Sequence, residues 1–182
     1  MYLLTETASP FALERWAAFF ANFGQFAKGF FYTLGISIGA LIVALLLGLI
    51  FGAMSSTHNK VLRGISRVYV EIFQNTPLLV QFVVVFYGIS ILTDGHIMIP
   101  ISLTAILCVG VYTGAYISEI IRTGIEAVPK GQTEAALSQG FTYADTMRII
   151  ILPQAVRTIL PPLTNQVVNL IKNTSTVAII SG

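Results

Sequence analysis

Residues 30–54 read FFYTLGISIGALIVALLLGLIFGAM, a predominantly apolar run that contains no aspartate, glutamate, lysine or arginine. An α-helix needs about 20 such residues to cross the hydrocarbon core of a bilayer. Across the 182 residues of the chain, 55% are hydrophobic, 10% are charged and the mean hydropathy is +0.81. Soluble domains carry roughly 25% charged residues. The composition therefore argues against a water-soluble globule and predicts an all-α integral membrane protein.

Three further segments are expected to cross the membrane: residues 70–92, 97–121 and a weaker run at 155–172. Pro161 and Pro162 fall inside the last run and are expected to break it, because proline removes a backbone hydrogen bond. The more polar residues 122–153 predict a loop outside the membrane. No internal repeat or soluble second domain is visible. We therefore divide the chain into an N-terminal external or interfacial segment, 1–28, and one transmembrane domain, 29–182.

Lysine and arginine residues concentrate in the loops on one side of these spans. They follow the first and third spans: Lys60, Arg63, Arg67, Arg122, Lys130, Arg148 and Arg157. The loop between the second and third spans holds none. Because basic residues are enriched in cytoplasmic loops, the pattern predicts an N-terminus outside the cytoplasm, although Arg15 and Lys28 oppose it. Basic residues placed in this way indicate orientation and not a nucleic-acid partner.

Aromatic residues recur at helical spacing ahead of the first span: Trp16, Phe19, Phe20, Phe23 and Phe26. The spacing suits an amphipathic helix that lies in the outer membrane interface. An aromatic belt at the end of the first span explains the same residues equally well.

Polar side chains share single faces of three predicted spans, each face covering about 120° of helix surface at 100° per residue. The second span carries Glu71, Gln74, Asn75 and Gln81, the third carries Tyr116 and Glu119, and the fourth carries Asn165, Gln166, Asn169, Lys172 and Asn173. A charged side chain at bilayer depth costs about 2.5–3.5 kcal/mol, so these faces need water or a polar partner. We interpret these residues as candidates for lining a translocation pathway. Hydrogen bonds that only hold the helices together are the alternative. For Glu119 an ion pair with Arg122 is a further alternative, and for Lys172 snorkelling to the membrane interface is another.

The polar stretch after the third span contains two short helical patterns. Glu134-Ala135-Ala136 follows Thr133, which suits an N-cap, and precedes Gly140, which suits the left-handed backbone at a helix end. A second helix is expected to begin near Thr142 and to end before Pro153. Together the two patterns predict a helical hairpin that fits the groove of a partner protein, with a solvated connecting loop as the alternative.

This hairpin resembles the EAA loop of bacterial ABC-importer permeases. The resemblance rests on Glu134-Ala135-Ala136, Gly140 and Ile151-Leu152-Pro153-Gln154-Ala155. Five other stretches resemble the polar amino-acid branch of that family, which includes histidine, glutamine, glutamate and arginine permeases: 71–81 (EIFQNTPLLVQ), 115–122 (AYISEIIR), 128–132 (VPKGQ), 160–163 (LPPL) and 172–175 (KNTS). The resemblance extends from about Gly29 to Ser175.

The resemblance implies a type I (MetI-like) ABC-importer permease, a multi-pass helical bundle of the bacterial cytoplasmic membrane. It implies a dimer with an identical or homologous permease, two cytoplasmic ATPase subunits and an extracytoplasmic amino-acid-binding protein. ATP and Mg²⁺ would be bound by the ATPase subunits, and this chain would need no cofactor of its own. The implied ATPase-coupling residues are Gly131, Glu134, Ala135, Ala136, Leu137 and Gly140. Members of the family usually continue into one more span, so we expect the final span to be absent from this sequence.

The sequence lacks the GxxxxGK[ST] loop that cradles phosphates and the HExxH and GxSxG motifs of hydrolases, so we expect no enzyme activity and no metal site. His58 and His96 lie in opposite loops. The predicted function is translocation of polar amino acids. Glutamine or glutamate is favoured because Lys172 and the neutral Asn173 offer no carboxylate to a basic cargo. An ion-coupled secondary transporter or another membrane bundle protein is the alternative, although secondary transporters usually contain inverted repeats.

Overall fold

The structure, a computed structural model, describes residues 13–179, which form helices and loops without a β-strand. The α-helices of this part are α1 (Leu13–Ala21), α2 (Phe23–Ser55), α3 (Lys60–Asn75), α4 (Leu78–Val83), α5 (Ile89–Leu92), α6 (Ile101–Glu126), α7 (Lys130–Ser138), α8 (Tyr143–Asp145) and α9 (Leu152–Asn173). Two π-helical stretches, Val84–Gly88 and Thr146–Ile151, interrupt this series, and the 3-10 helix Thr174–Ile179 follows α9. The predicted all-α fold is therefore confirmed.

The chain divides after Gly35 into two compact units, residues 1–35 and 36–182. In the first unit the predicted aromatic residues pack against one another, and the ring of Phe19 lies 6.2 Å from that of Trp16 and 4.8 Å from that of Phe26. Both interpretations of these residues stay open. Part of the predicted N-terminal segment, residues 1–12, lies outside the described residues.

Two of the described helices, α2 and α6, are long and apolar enough to cross a membrane. They contain most of the predicted spans 30–54 and 97–121, although α6 begins only after Pro100. The predicted span 155–172 lies in α9, which is not one of these two helices. Its crossing of the membrane stays a prediction, because its prolines and amides lower its hydropathy.

The predicted span 70–92 is not one straight helix. The helical segment Leu78–Leu92 is bent by 97° relative to α3, so the pair is a third crossing only as one broken span. Thr76 is extended, with φ −95° and ψ 122°, because the ring of Pro77 disfavours helical backbone at the preceding residue. The proline therefore decides where the span turns.

The expected break at Pro161 and Pro162 is not observed, because α9 continues from Leu152 to Asn173 with both prolines inside it. An internal proline costs a helix about 3 kcal/mol. Packing along α6 offsets this cost. A Cβ on Gly124 of α6 would lie 2.3 Å from Cγ1 of Ile159, so the glycine lets α9 approach closely.

Small residues bring α2 and α6 together in the core of the second unit. Five of the six buried positions of α2 recur every fourth residue: Ile36, Ala40, Ala44, Gly48 and Gly52. A Cβ on Gly48 would lie 2.4 Å from Cγ2 of Ile117, and one on Gly110 would lie 2.8 Å from Cβ of Val43. Such close approach gains van der Waals contact that bulkier side chains would prevent.

Candidate translocation pathway and coupling surface

A cavity of about 610 Å³ opens between α3 and α6, near Ser55 at the end of α2 and Glu126 at the end of α6. We name it the α3–α6 cavity. Three of the predicted pathway residues line it, namely Glu71 and Gln74 from α3 and Glu119 from α6. The fold thus brings together polar residues from two predicted spans that are far apart in sequence.

α3 presents three different faces. On its packed face, the hydroxyl of Ser66 donates to the carbonyl oxygen of Phe51 at 2.7 Å, and that of Tyr69 donates to the carbonyl oxygen of Val111 at 2.7 Å. The second face is apolar and exposed: Val61, Ile65, Val68 and Ile72. The third face lines the cavity: Lys60, Arg63, Arg67, Glu71 and Gln74. These faces follow from the 3.6-residue period of the helix, which places residues three or four apart on one side.

Ion pairs occupy part of the cavity wall. Arg122 donates to both carboxylate oxygens of Glu119, with Nε 3.0 Å from Oε2, and its Nη1 lies 2.5 Å from Oε2 of Glu126. The ion pair considered as an alternative for Glu119 is therefore formed. Nε of Arg67 lies 2.9 Å from Oε1 of Glu71, and both side chains are largely exposed. An exposed pair of this kind contributes about 0–1 kcal/mol, so Glu71 stays accessible to a solute.

Other polar groups of the cavity wall have no such partner within the described residues. Lys60 and Arg63 form no salt bridge there, and the hydroxyl of Ser118 is buried without a hydrogen-bond partner. The lining holds more cations than carboxylates. The cavity can thus receive a carboxylate group. Over residues 13–179, no group of three or more His, Cys, Asp or Glu could hold a metal ion.

Two predicted pathway glutamines bond to backbone carbonyls. Nε2 of Gln74 donates to the carbonyl oxygen of Ala115 at 3.2 Å. Gln81 is 8% exposed, and its Nε2 donates to the carbonyl oxygens of Phe73 at 3.1 Å and Thr76 at 3.0 Å. Because the last carbonyls of a helix lack helical partners, Gln81 satisfies the end of α3 at the bend. The structure places Gln81 in this bend and not on the cavity wall.

Two further predicted residues also lie away from the cavity wall. Asn75 is exposed at the last position of α3. The hydroxyl of Tyr116 lies 3.1 Å from that of Tyr112 on the same helix, and both side chains are half-buried. Neither Asn75 nor Tyr116 lines the α3–α6 cavity.

The predicted polar stripe of α9 lies at the surface of the chain. Three of its side chains are exposed and two are half-buried: Asn165, Asn169 and Lys172, then Gln166 and Asn173. Another side of α9 packs on α6 through Ile159. In the predicted span, these amides and this cation need water or another chain in front of them.

α7 carries the glutamate-alanine-alanine motif, but it begins earlier than predicted. Its N-cap is Pro129, with φ −57°, and its first residue is Lys130, so the predicted N-cap Thr133 is wrong. The fixed φ of proline suits a helix start, and this outweighs the capping tendency of a threonine hydroxyl.

The motif residues divide between the two sides of α7. Ala136 is 3% exposed on a helix that packs against the π-helical stretch Thr146–Ile151. Glu134, Ala135 and Leu137 are exposed, as is Gly131. One side of α7 therefore holds the hairpin together, and the other side is free for a partner.

Gly140 adopts the left-handed conformation predicted for it, with φ +86°. Its N–H donates to the carbonyl oxygen of Leu137 at 3.0 Å, and the N–H of Phe141 donates to that of Ala136 at 3.1 Å. This pair of bonds is the Schellman motif that closes a helix C-terminus.

The second helix of the hairpin begins as predicted, since the hydroxyl of Thr142 accepts from the N–H of Asp145 at 3.2 Å. The prediction that it ends before Pro153 is wrong. The chain continues through the π-helical stretch into α9, where Pro153 occupies the first turn and needs no N–H partner. The hairpin therefore leads directly into α9, and it follows α6 after only a short connection.

Residues 44–182 match the family described as "Binding-protein-dependent transport system inner membrane component". The chain belongs to this family. Its sequence is similar to that of the probable glutamine ABC transporter permease protein GlnM of Bacillus subtilis (strain 168), with 41% identity over 90% of this chain and 74% of the relative. It is also similar to the glutamate/aspartate import permease protein GltJ of Escherichia coli (strain K12), with 37% identity over 84% of this chain and 66% of the relative.

Solved structures agree with this family membership. The crystal structure of an amino acid ABC transporter with histidines matches with a TM-score of 0.83 and 33% identity, over 91% of this chain and 76% of that chain. An inward-facing form of the MetNI methionine ABC transporter matches with a TM-score of 0.68 over 85% of this chain and 73% of that chain, and at 18% identity this likeness shows the fold alone. The predicted resemblance to ABC-importer permeases and the type I (MetI-like) fold are confirmed. The protein is thus a membrane subunit of an ABC transport system.

Sequence reasoning did not assign most of the cavity wall to the pathway, and Lys60, Arg63 and Ser118 are examples. Lys60 and Arg63 were used only to predict orientation, yet their spacing places them on the face of α3 that carries Glu71. That spacing could have identified them. For Ser118 the sequence contains no such signal, because a serine in a membrane helix usually bonds to its own backbone.

Proposed function

We propose that this family member is the permease subunit of an ATP-driven importer of polar amino acids in the bacterial cytoplasmic membrane, with glutamine or glutamate as its cargo. The two relatives described above are named as glutamine and glutamate/aspartate permeases, which supports an amino-acid cargo. The excess of cations in the α3–α6 cavity supports a cargo that carries at least one carboxylate.

The observation that carries the proposal is the exposed polar stripe of α9. Its amides and Lys172 cannot face lipid without a large cost, so they face a second permease, identical or homologous, across a water-filled path. The α3–α6 cavity forms the cytoplasmic opening of that path. Glu71, Gln74 and Glu119 then contact the cargo as it leaves, while Gln81 keeps the bend in shape.

The cavity end of the bundle lies on the cytoplasmic side in this proposal, with the N-terminus outside. Lys60, Arg63 and Arg122 line the cavity, and the hairpin follows at the same end of α6. Cytoplasmic loops carry the excess of basic residues, so the charge distribution supports this orientation.

The exposed side of α7 docks into a cleft on a cytoplasmic ATPase subunit, with Glu134, Ala135 and Leu137 at the contact. Two such subunits bind the ATP and Mg²⁺, an extracytoplasmic binding protein delivers the amino acid, and this chain has no enzyme activity. ATP binding shifts the population between outward-open and inward-open states. Because the hairpin connects to α6 and α9, movement of α7 reaches both helices.

The test is to reconstitute the complete complex with its ATPase and binding protein in proteoliposomes and to measure uptake of labelled glutamine, glutamate and arginine. We expect uptake that requires ATP and the binding protein, and stimulation of ATP hydrolysis by glutamine or glutamate. Uptake that survives ATP depletion and collapses with an ion gradient would identify a secondary transporter. Uptake of arginine alone would overturn the cargo assignment.

A further inference from the structure

The turn between α2 and α3 touches the coupling hairpin through two rings. The imidazole of His58 packs edge-to-face on the ring of Tyr143, with centroids 5.0 Å apart and planes at 80°. Tyr143 is the first residue of α8. Both rings line a second cavity of about 600 Å³, which also borders α7 and the π-helical stretch Thr146–Ile151.

Hydrogen bonds stiffen the turn on both sides of His58. The hydroxyls of Ser55 and Ser56 donate to the carbonyl oxygen of Gly52 at 2.7 Å and 3.0 Å, at the end of α2. Oδ1 of Asn59 accepts from the N–H of Val61 at 2.9 Å and caps the start of α3. His58 therefore lies in a short turn that is hydrogen-bonded at the end of α2 and at the start of α3.

α3 forms a wall of the α3–α6 cavity but has no direct chain connection to the hairpin, which runs between α6 and α9. We propose that His58 is a positioning residue, whose ring contact with Tyr143 transmits movement of the hairpin to α3. Displacement of α8 then shifts Lys60 and Arg63, and the cavity wall moves in step with the ATPase. This inference rests on the proposed function.

The first test measures the amount of amino acid imported per ATP hydrolysed by the complete complex in proteoliposomes. His58→Ala is expected to lower this ratio by about two- to tenfold, the range that the loss of one aromatic pair supports. His58→Phe keeps an edge-to-face ring and is expected to restore the ratio. Tyr143→Leu should match His58→Ala, and the double variant should be no worse than either, because both remove one contact.

His96→Ala is the matched control, since His96 lies in the loop between α5 and α6, and it should leave the ratio unchanged. Size-exclusion chromatography of every variant verifies that the complex assembles. An unchanged ratio in His58→Ala, an equal loss in His58→Phe, or a loss explained by failed assembly would each overturn the inference.

The second test follows α3 itself. A cysteine introduced by Arg63→Cys should react with a maleimide at a rate that changes when a non-hydrolysable ATP analogue is added. Background from this chain is low because its single cysteine, Cys108, is only 4% exposed, and labelling of this chain is read separately from that of the other subunits. The nucleotide-dependent change should vanish with His58→Ala and return with His58→Phe, and its persistence in His58→Ala would refute the proposed transmission. If the unmodified complex shows no ATP-driven uptake, the proposed function fails first.

Discussion

A side chain at Gly140 tests whether transport depends on the shape of the coupling hairpin. Gly140 has φ +86°, and no neighbouring atom lies within 4 Å of the position a Cβ would take. A substitution there meets no steric clash with another residue, so its cost comes from the backbone. For an L-residue the left-handed conformation costs about 1–2 kcal/mol, and for a β-branched residue it costs more.

That cost shifts the equilibrium from the hydrogen-bonded turn at Gly140 toward open conformations by a factor of about 5–30. Opening the turn also releases the two hydrogen bonds that end α7 at Leu137 and Ala136. Under the proposed function, the exposed motif of α7 then no longer docks on the ATPase subunit in one orientation. We expect Gly140→Ala to reduce ATP-driven uptake and Gly140→Val to abolish it. Gly140→Asn should keep most of the uptake, because asparagine adopts this conformation more readily.

The control is Gln139→Ala, at an exposed neighbour whose φ of −87° suits any residue. Uptake by each variant is measured in proteoliposomes, and immunoblots of membrane fractions verify that all variants are inserted in equal amounts. Normal uptake by Gly140→Val would refute the role of the hairpin in coupling.

Three further test substitutions, two of them paired with a control substitution, probe the packing and the pathway. Gly48→Ala should destabilise the chain by about 1–3 kcal/mol, since its Cβ would lie 2.4 Å from a carbon of α6. Gly35→Ala on the same helix meets nothing within 4 Å and should be neutral or stabilising; equal thermal unfolding of the two variants in detergent would contradict the close approach of the helices. Gln81→Leu leaves two carbonyls at the bend without a donor, at about 1–3 kcal/mol each, and an unchanged unfolding temperature would show that the amide does not hold the bend. Asn169→Leu should lower uptake while Val168→Leu does not, and similar uptake by both would exclude this stripe from the pathway.

Periodicity identified residues that share one side of a helix, but not what that side meets. Glu71 and Gln74 of α3 line the same cavity as Glu119 of α6. Gln81 has the same polar character and a suitable spacing, yet the 97° bend turns it toward carbonyl groups at the end of α3. On one straight helix, Gln81 would lie on the same face as Gln74, and the sequence therefore predicted the same role for both residues.

The sequence by itself determined that the chain is a membrane bundle, where the turn at Gly140 lies and which family it belongs to. These features depend on local properties: apolar runs, the conformational freedom of glycine and short motifs. Only the tertiary structure decided that α9 continues through Pro161 and Pro162 and that Glu71 meets the cavity of Glu119. Both features depend on contacts between segments that are distant in sequence, such as the close packing of Ile159 of α9 against Gly124 of α6. The free energy of these contacts outweighs the local conformational preference of a proline or the polarity of an amide.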